Sequence, residues 1–166
     1  DWLFNLGKRD GDFIQIWRNG KWGLVDYKGK MIISPKYDGI KGFINGLAWV
    51  NEGGTSDIYG RIQGGKWGII DTTGKIVLAP TFDGFKNFKN GLAWVNKGGR
   101  TYFDGNTQGG KWGLIDTSGK ITLAPTFEGF QNFVDGLAWI NTGGSTFIDG
   151  GKPEGGKGGI INEGGE

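Results

Sequence analysis

Two sets of carboxylates recur along this chain, Asp26, Asp71 and Asp116 in one and Asp38, Asp83 and Glu128 in the other, each set spaced by 45 residues. Carboxylate pairs are the working groups of glycoside hydrolysis, so a hydrolase acting on polysaccharide is the enzymatic reading these residues invite. Two observations oppose it. Catalysis needs one asymmetric constellation, whereas each acid here has equivalents, and the second set exchanges Asp for Glu in its third copy. Asp26, Asp71 and Asp116 also stand just before a Gly-bearing turn, where Asp serves backbone N–H groups. Histidine and cysteine are both absent, which removes the usual neutral-pH base, the thiol nucleophile and the imidazole or thiolate metal ligands. We therefore assign no catalytic residue, no metal ligand and no cofactor, and expect a protein that is not an enzyme.

Other chemistries are weighed in the same way. Calcium at Asp104-Gly105-Asn106 lacks support from the preceding copy, where Tyr59 stands in place of the acid, and no EF-hand spacing exists. The Gly-Gly-Lys-Trp-Gly segments lack P-loop spacing and a following helix, so they do not read as phosphate cradles. Nineteen basic against seventeen acidic residues, with the lysines spread through the chain, leave a weak footprint for nucleic acid, and no apolar run is long enough for a membrane span. Eight tryptophans raise a lectin-like module in which aromatic faces stack on sugar rings. Trp22, Trp67 and Trp112, with Trp49, Trp94 and Trp139, recur with the 45-residue period and read as packing residues. Ligand candidates are instead the loop aromatics Tyr59, Tyr102 and Phe147, with Asn51, Asn96 and Asn141 beside them.

The elements that must position these residues follow from the repeat. Between Gly64–Asn96 and Gly109–Asn141, 25 of 33 residues are identical. Thirty-six glycines disfavour helix and suit a chain that turns often, while 23 aromatic residues supply the apolar surface that a disordered glycine-rich chain lacks. Within one unit, Trp67–Asp71 and Lys75–Ala79 form a hairpin around Thr72-Thr73-Gly74, Pro80 ends the second strand, and Leu92–Asn96 is a third strand. Thr81–Phe88, with phenylalanines three apart, reads as a loop pinned by aromatic plugs. The 14-residue connections Glu52–Gly65 and Lys97–Gly110 read as extended hairpins or surface loops. Leu92 and Trp94 face one side and Ala93 and Val95 the other, so both faces of the sheet are apolar and the units must stack face to face.

The expected architecture is all-β: one repeat domain over 1–166, a tandem array of three-stranded antiparallel units stacked as an open β-solenoid-like array, or as a small closed β-propeller. Residues 1–20 form a degenerate N-terminal cap, 21–65, 66–110 and 111–156 the repeats, and 157–166 a partial C-terminal repeat. Closure would require the strand near Phe13 to complete the last unit near Ile160.

Gly20–Asp26 with Tyr37-Asp38-Gly39-Ile40, Gly65–Val95 and Gly110–Ile140 carry, in fixed order, patterns close to GKWGLID, TTGK, IVLAP, FDGF and GLAWV. In these residues the chain resembles the WG repeat family. The resemblance implies a bacterial, often secreted or surface-associated, all-β repeat array with no common assigned activity, and carries over no catalytic residue. An extracellular or cell-surface location also fits the lack of cysteine and a sequence that opens at Asp1 without an initiator methionine. The function expected is presentation of loops to a protein or polysaccharide partner, with self-association into a filament through the end units, or a lectin-like module, as the alternatives.

Overall fold

A computed structural model describes residues 5–10, 13–57, 59–144 and 155–166. Every regular element among the described residues is a β-strand. The first sheet is β1 (Asn5–Asp10), β2 (Phe13–Arg18), β3 (Lys21–Asp26) and β4 (Met31–Tyr37), in that spatial order. The second is β5 (Gly39–Ile40), β6 (Leu47–Ser56), β7 (Ile62–Asp71) and β8 (Ile76–Phe82). The third is β9 (Gly84–Phe85), β10 (Leu92–Thr101), β11 (Thr107–Asp116) and β12 (Ile121–Phe127). The fourth is β13 (Gly129–Phe130), β14 (Leu137–Thr142) and β15 (Lys157–Asn162). Among the described residues all pairings are antiparallel, and no sheet closes into a barrel.

The structural frame is offset from the sequence frame. Trp67–Asp71 and its return strand belong to the second sheet, but Leu92–Asn96 belongs to the third. Each of the second, third and fourth sheets opens with a two-residue strand, such as Gly84–Phe85, that pairs with the strand carrying the GLAW motif. Phe13–Trp17 pairs locally with Trp22–Asp26, so it does not complete the fourth sheet. The connections Glu52–Gly65 and Lys97–Gly110 are largely strand: β6 and β7, and likewise β10 and β11, run on as long hairpins.

Turn chemistry sets these pairings. Asn45-Gly46, Asn90-Gly91 and Asp135-Gly136 adopt positive φ at both positions, and Ile44 and Leu47 exchange two backbone hydrogen bonds across the first of them. That two-residue geometry matches the twist of an antiparallel pair. The Asp turns are built on one oxygen: Asp116 Oδ1 accepts the N–H groups of Ser118 at 2.9 Å and Lys120 at 3.1 Å. Asp26 and Asp71 do the same, which gives the first recurring carboxylate set a backbone role.

The chain divides into two compact units, Asp1–Thr81 and Phe82–Glu166. In the first, Leu24, Ile33 and Tyr37 of the first sheet share a core with Ile40, Ala48, Val50 and Ile70 of the second. In the second, Trp94, Trp112 and Leu114 of the third sheet pack on Phe130, Phe133, Ala138, Ile140 and Ile161 of the fourth. Face-to-face packing of sheets is thus the core in each unit. Phe127, Phe130 and Phe133 all enter it, the aromatic plugs expected of that connection, and Trp94 stacks on Phe130 with centroids 4.1 Å apart.

The glycine of the Trp-Gly pair has a specific cause. Beside each such strand the partner strand carries a bulge at its proline, and a Cβ on Gly113 would lie 2.4 Å from the Leu123 carbonyl oxygen and 2.6 Å from Pro125 N. Gly23 and Gly68 meet the same obstruction. Only a residue without Cβ lets the bulged backbone approach.

The hydroxyl of Ser118 is the largest influence on Asp116, and with the two turn N–H groups it holds that carboxyl below its ordinary value; Thr73 does the same for Asp71. A folded-state value below the unfolded one stabilises the fold above the ordinary carboxylate range, and that stabilisation is lost as pH falls through it. Asn162 makes the equivalent turn without charge, accepting from Gly164 N at 2.9 Å and Glu166 N at 3.1 Å. Asp116→Asn should therefore keep the fold while weakening the drop in urea midpoint below about pH 4. An acid limb identical to wild type would contradict this.

Candidate binding site at the hairpin tips

The long hairpins are held at their necks by buried asparagines. Asn96 Oδ1 accepts the Gly99 N–H at 3.0 Å and its Nδ2 donates to the Gly109 carbonyl at 3.0 Å. Asn51 bridges Gly54 and Gly64, and Asn141 bridges Gly144 and Gly155, in the same way. The amide fills space that a side chain would need: a Cβ on Gly110, which has φ +71°, would meet Gly99 N at 2.3 Å and Asn96 Oδ1 at 2.4 Å. Asn51, Asn96 and Asn141 are buried, with their amides committed to backbone. This is why Asn-x-Gly-Gly recurs opposite Gly-Gly-Lys-Trp-Gly.

Beyond the neck the arms of the second and third sheets are anchored again before they reach solvent. In the third sheet Thr101 Oγ1 donates to the Asp83 carbonyl at 2.5 Å and lies 2.8 Å from Thr107 Oγ1, both threonines buried. In the second sheet the place of Thr107 is taken by Ile62, buried against Gly39. In these two sheets the tips are therefore short projections beyond the anchor.

At the tip of the second sheet Asp57 Oδ1 accepts the N–H groups of Tyr59 and Arg61, both at 2.9 Å, and Asp57 Oδ2 pairs with Arg61 Nε at 2.6 Å. Desolvation pushes the Asp57 carboxyl up, but these hydrogen bonds and the guanidinium outweigh it and hold it below its ordinary value. The Arg61 guanidinium sits 5.3 Å from the Tyr59 ring centroid, and Tyr59 is 77% exposed. At the tip of the third sheet Tyr102, 36% exposed, has the Arg100 guanidinium 5.5 Å from its ring, and its hydroxyl donates to Gln108 Oε1 at 3.2 Å. Each tip thus displays a tyrosine face backed by an arginine, a pairing favoured by the ring quadrupole. Phe147, the remaining candidate, lies outside the described residues.

Trp49, Trp67, Trp94 and Trp112 are core residues, while Trp22 and Trp139 are half-buried. The second carboxylate set links neighbouring strands: Asp38 takes Lys21 Nζ at 2.5 Å and the Gly53 N–H at 2.7 Å, and Glu128 pairs with Lys111. Asp104 Oδ1 accepts from Asn106 N at 2.9 Å and Asp104 Oδ2 from Asn106 Nδ2 at 3.0 Å. Among the described residues no three acidic side chains gather where they could hold a metal ion, and no helix is long and apolar enough to cross a membrane. Arg61 and Arg100 were not singled out by sequence, because neither recurs at the 45-residue interval.

Four-stranded sheets generated by one duplicated sequence unit, each bearing its glycine under a proline bulge, define a tandem β-repeat protein. The family described as WG containing repeat matches residues 22–55, 67–100 and 112–145, more than half of the chain, and the chain belongs to that family. No curated protein and no solved structure matches it.

Proposed function

We propose that this chain is a non-enzymatic binding protein that displays its hairpin tips to a macromolecular partner, a protein surface in the first instance, outside the cell. The observation that carries the reading is the exposed Tyr59–Arg61 pair at the tip of a hairpin anchored at its neck, matched in chemistry by Tyr102 and Arg100. Tyrosine and arginine dominate the few side chains that supply most of the energy at protein interfaces. Arms already paired as strands carry less ordering cost on binding than an unpaired loop.

The test is a binding screen against candidate surface proteins and soluble polysaccharides, repeated with Tyr59→Ala and Tyr102→Ala together. Loss of one such anchor weakens a contact by about tenfold, or ~1.4 kcal/mol, so the double variant should lose about a hundredfold if both tips engage. A ligand bound equally well by the double variant would sink the tip reading. A preference for polysaccharide would turn it into the lectin-like alternative.

A further inference from the structure

On β14 and β15 the fourth sheet repeats part of a surface that the third sheet keeps covered, with Gly158 at the place of Trp112 and no counterpart of β12. Leu114 is fully buried between the third and fourth sheets, and its counterparts Leu24 and Ile69 are buried as deeply. Ile160 occupies the same place on β15 and is 66% exposed. Leu137 is 52% exposed, whereas its counterpart Leu92 packs against the core. Trp139 is half-buried, whereas its counterpart Trp94 stacks on Phe130. The apolar face formed by Leu137, Trp139 and Ile160 is thus an uncovered copy of the two central strands of an interface this protein makes in each of its units.

What covers that face elsewhere is also recognisable. In the fourth sheet the covering side is the pair Ala138 and Ile161, directly opposed across β14 and β15, with Phe130 opposite Ile140. The first sheet has the same layout: Ile14 is opposed to Val25, and Leu6 stands opposite Ile16. Ile14 and Val25 are half-buried, while Ala138 and Ile161 are buried. Ile16 is already covered, so the new contact would rest on Ile14 and Val25.

We propose that the Leu137–Trp139–Ile160 face receives the first sheet of a second copy of this chain, through the side bearing Ile14 and Val25. The contact continues the sheet-on-sheet packing already present within the chain, and needs no new chemistry. It is heterologous, because the two surfaces differ, so each addition leaves one unused face of each kind at the ends and growth proceeds head to tail. It is independent of the hairpin tips.

Sedimentation of the 166-residue chain from micromolar to millimolar concentration tests it. The average mass of wild type should rise through multiples of one chain. Ile160→Asp, at an exposed position, should keep the wild-type melting temperature and remain a single chain throughout, and Val25→Asp should behave likewise. An equimolar mixture of the two should stop at dimers, each variant supplying the face that the other lacks. Because the chain has no cysteine, Ile160→Cys and Ile14→Cys each provide a sole thiol, and a short bifunctional maleimide should join one to the other. This second measurement covers the case in which Val25→Asp fails to fold. A wild type that stays monomeric, an association untouched by Ile160→Asp, or crosslinks chiefly between two Ile160→Cys copies would each overturn the proposal.

Discussion

Gly113→Ala should lower stability by about 3 kcal/mol or more, on the order of a 15 °C fall in melting temperature for a unit of this size, while Gly159→Ala should cost nothing measurable. The two glycines hold the same place in the repeat. At Gly113 the added carbon would sit 2.4 Å from Leu123 O, 2.6 Å from Pro125 N and 2.8 Å from the Ala124 carbonyl carbon. All three are backbone atoms of a bulged strand, so relief requires moving β12 rather than rotating a side chain. At Gly159 the nearest atoms are the Ile140 side-chain carbons at 3.6 and 3.7 Å, ordinary contact distances. There alanine removes some chain entropy from the unfolded state and should be neutral or slightly stabilising. Thermal melts followed by circular dichroism compare the two directly, and equal losses would show that the obstruction does not explain the motif.

A comparable loss is expected for Asn96→Ala. The side chain is fully buried and serves two backbone groups at once, the Gly99 N–H and the Gly109 carbonyl. Removing it leaves a donor and an acceptor without partners in a site too crowded for them to turn away, at about 1–3 kcal/mol each. Asn96→Asp should fare no better, because an anionic oxygen would replace the donor facing Gly109 O. Hydrogen exchange adds a local signature: the Gly99 amide should exchange much faster in Asn96→Ala, with protection at Leu114 in the core largely retained. A Gly99 amide that stays protected would mean that the neck is held by the strand ladder alone.

Much of this architecture is legible in the residues. The 45-residue period, the Asp-x-x-Gly and Asn-Gly turns and the two-sided apolar strands each follow from local rules. The sheet boundaries do not, because Gly84–Phe85 is too short to show a strand period and its pairing with Val95 and Asn96 is a tertiary fact. Asn96 looks like a polar loop residue from its neighbours Gly98 and Gly99. Its burial becomes apparent only when Gly109, thirteen residues on, is placed across from it. A constant asparagine-to-glycine spacing in two copies is the signal that could have revealed it. The tip arginines defeat a search for periodicity, since Arg61 and Arg100 occupy different positions of the unit while producing similar surfaces.

The offset between sequence unit and sheet bears on how such a chain can change its length. Residues 22–66 begin inside β3 of the first sheet and end inside β7 of the second. Excising them in frame would join Lys21 to Trp67, so that β2 would enter the hairpin of β7 and β8, in which the same turn, the same glycine and the same bulge are already present. The splice rebuilds a whole sheet from halves of two. Unequal recombination between copies would therefore add or remove a unit without leaving any sheet short of a strand.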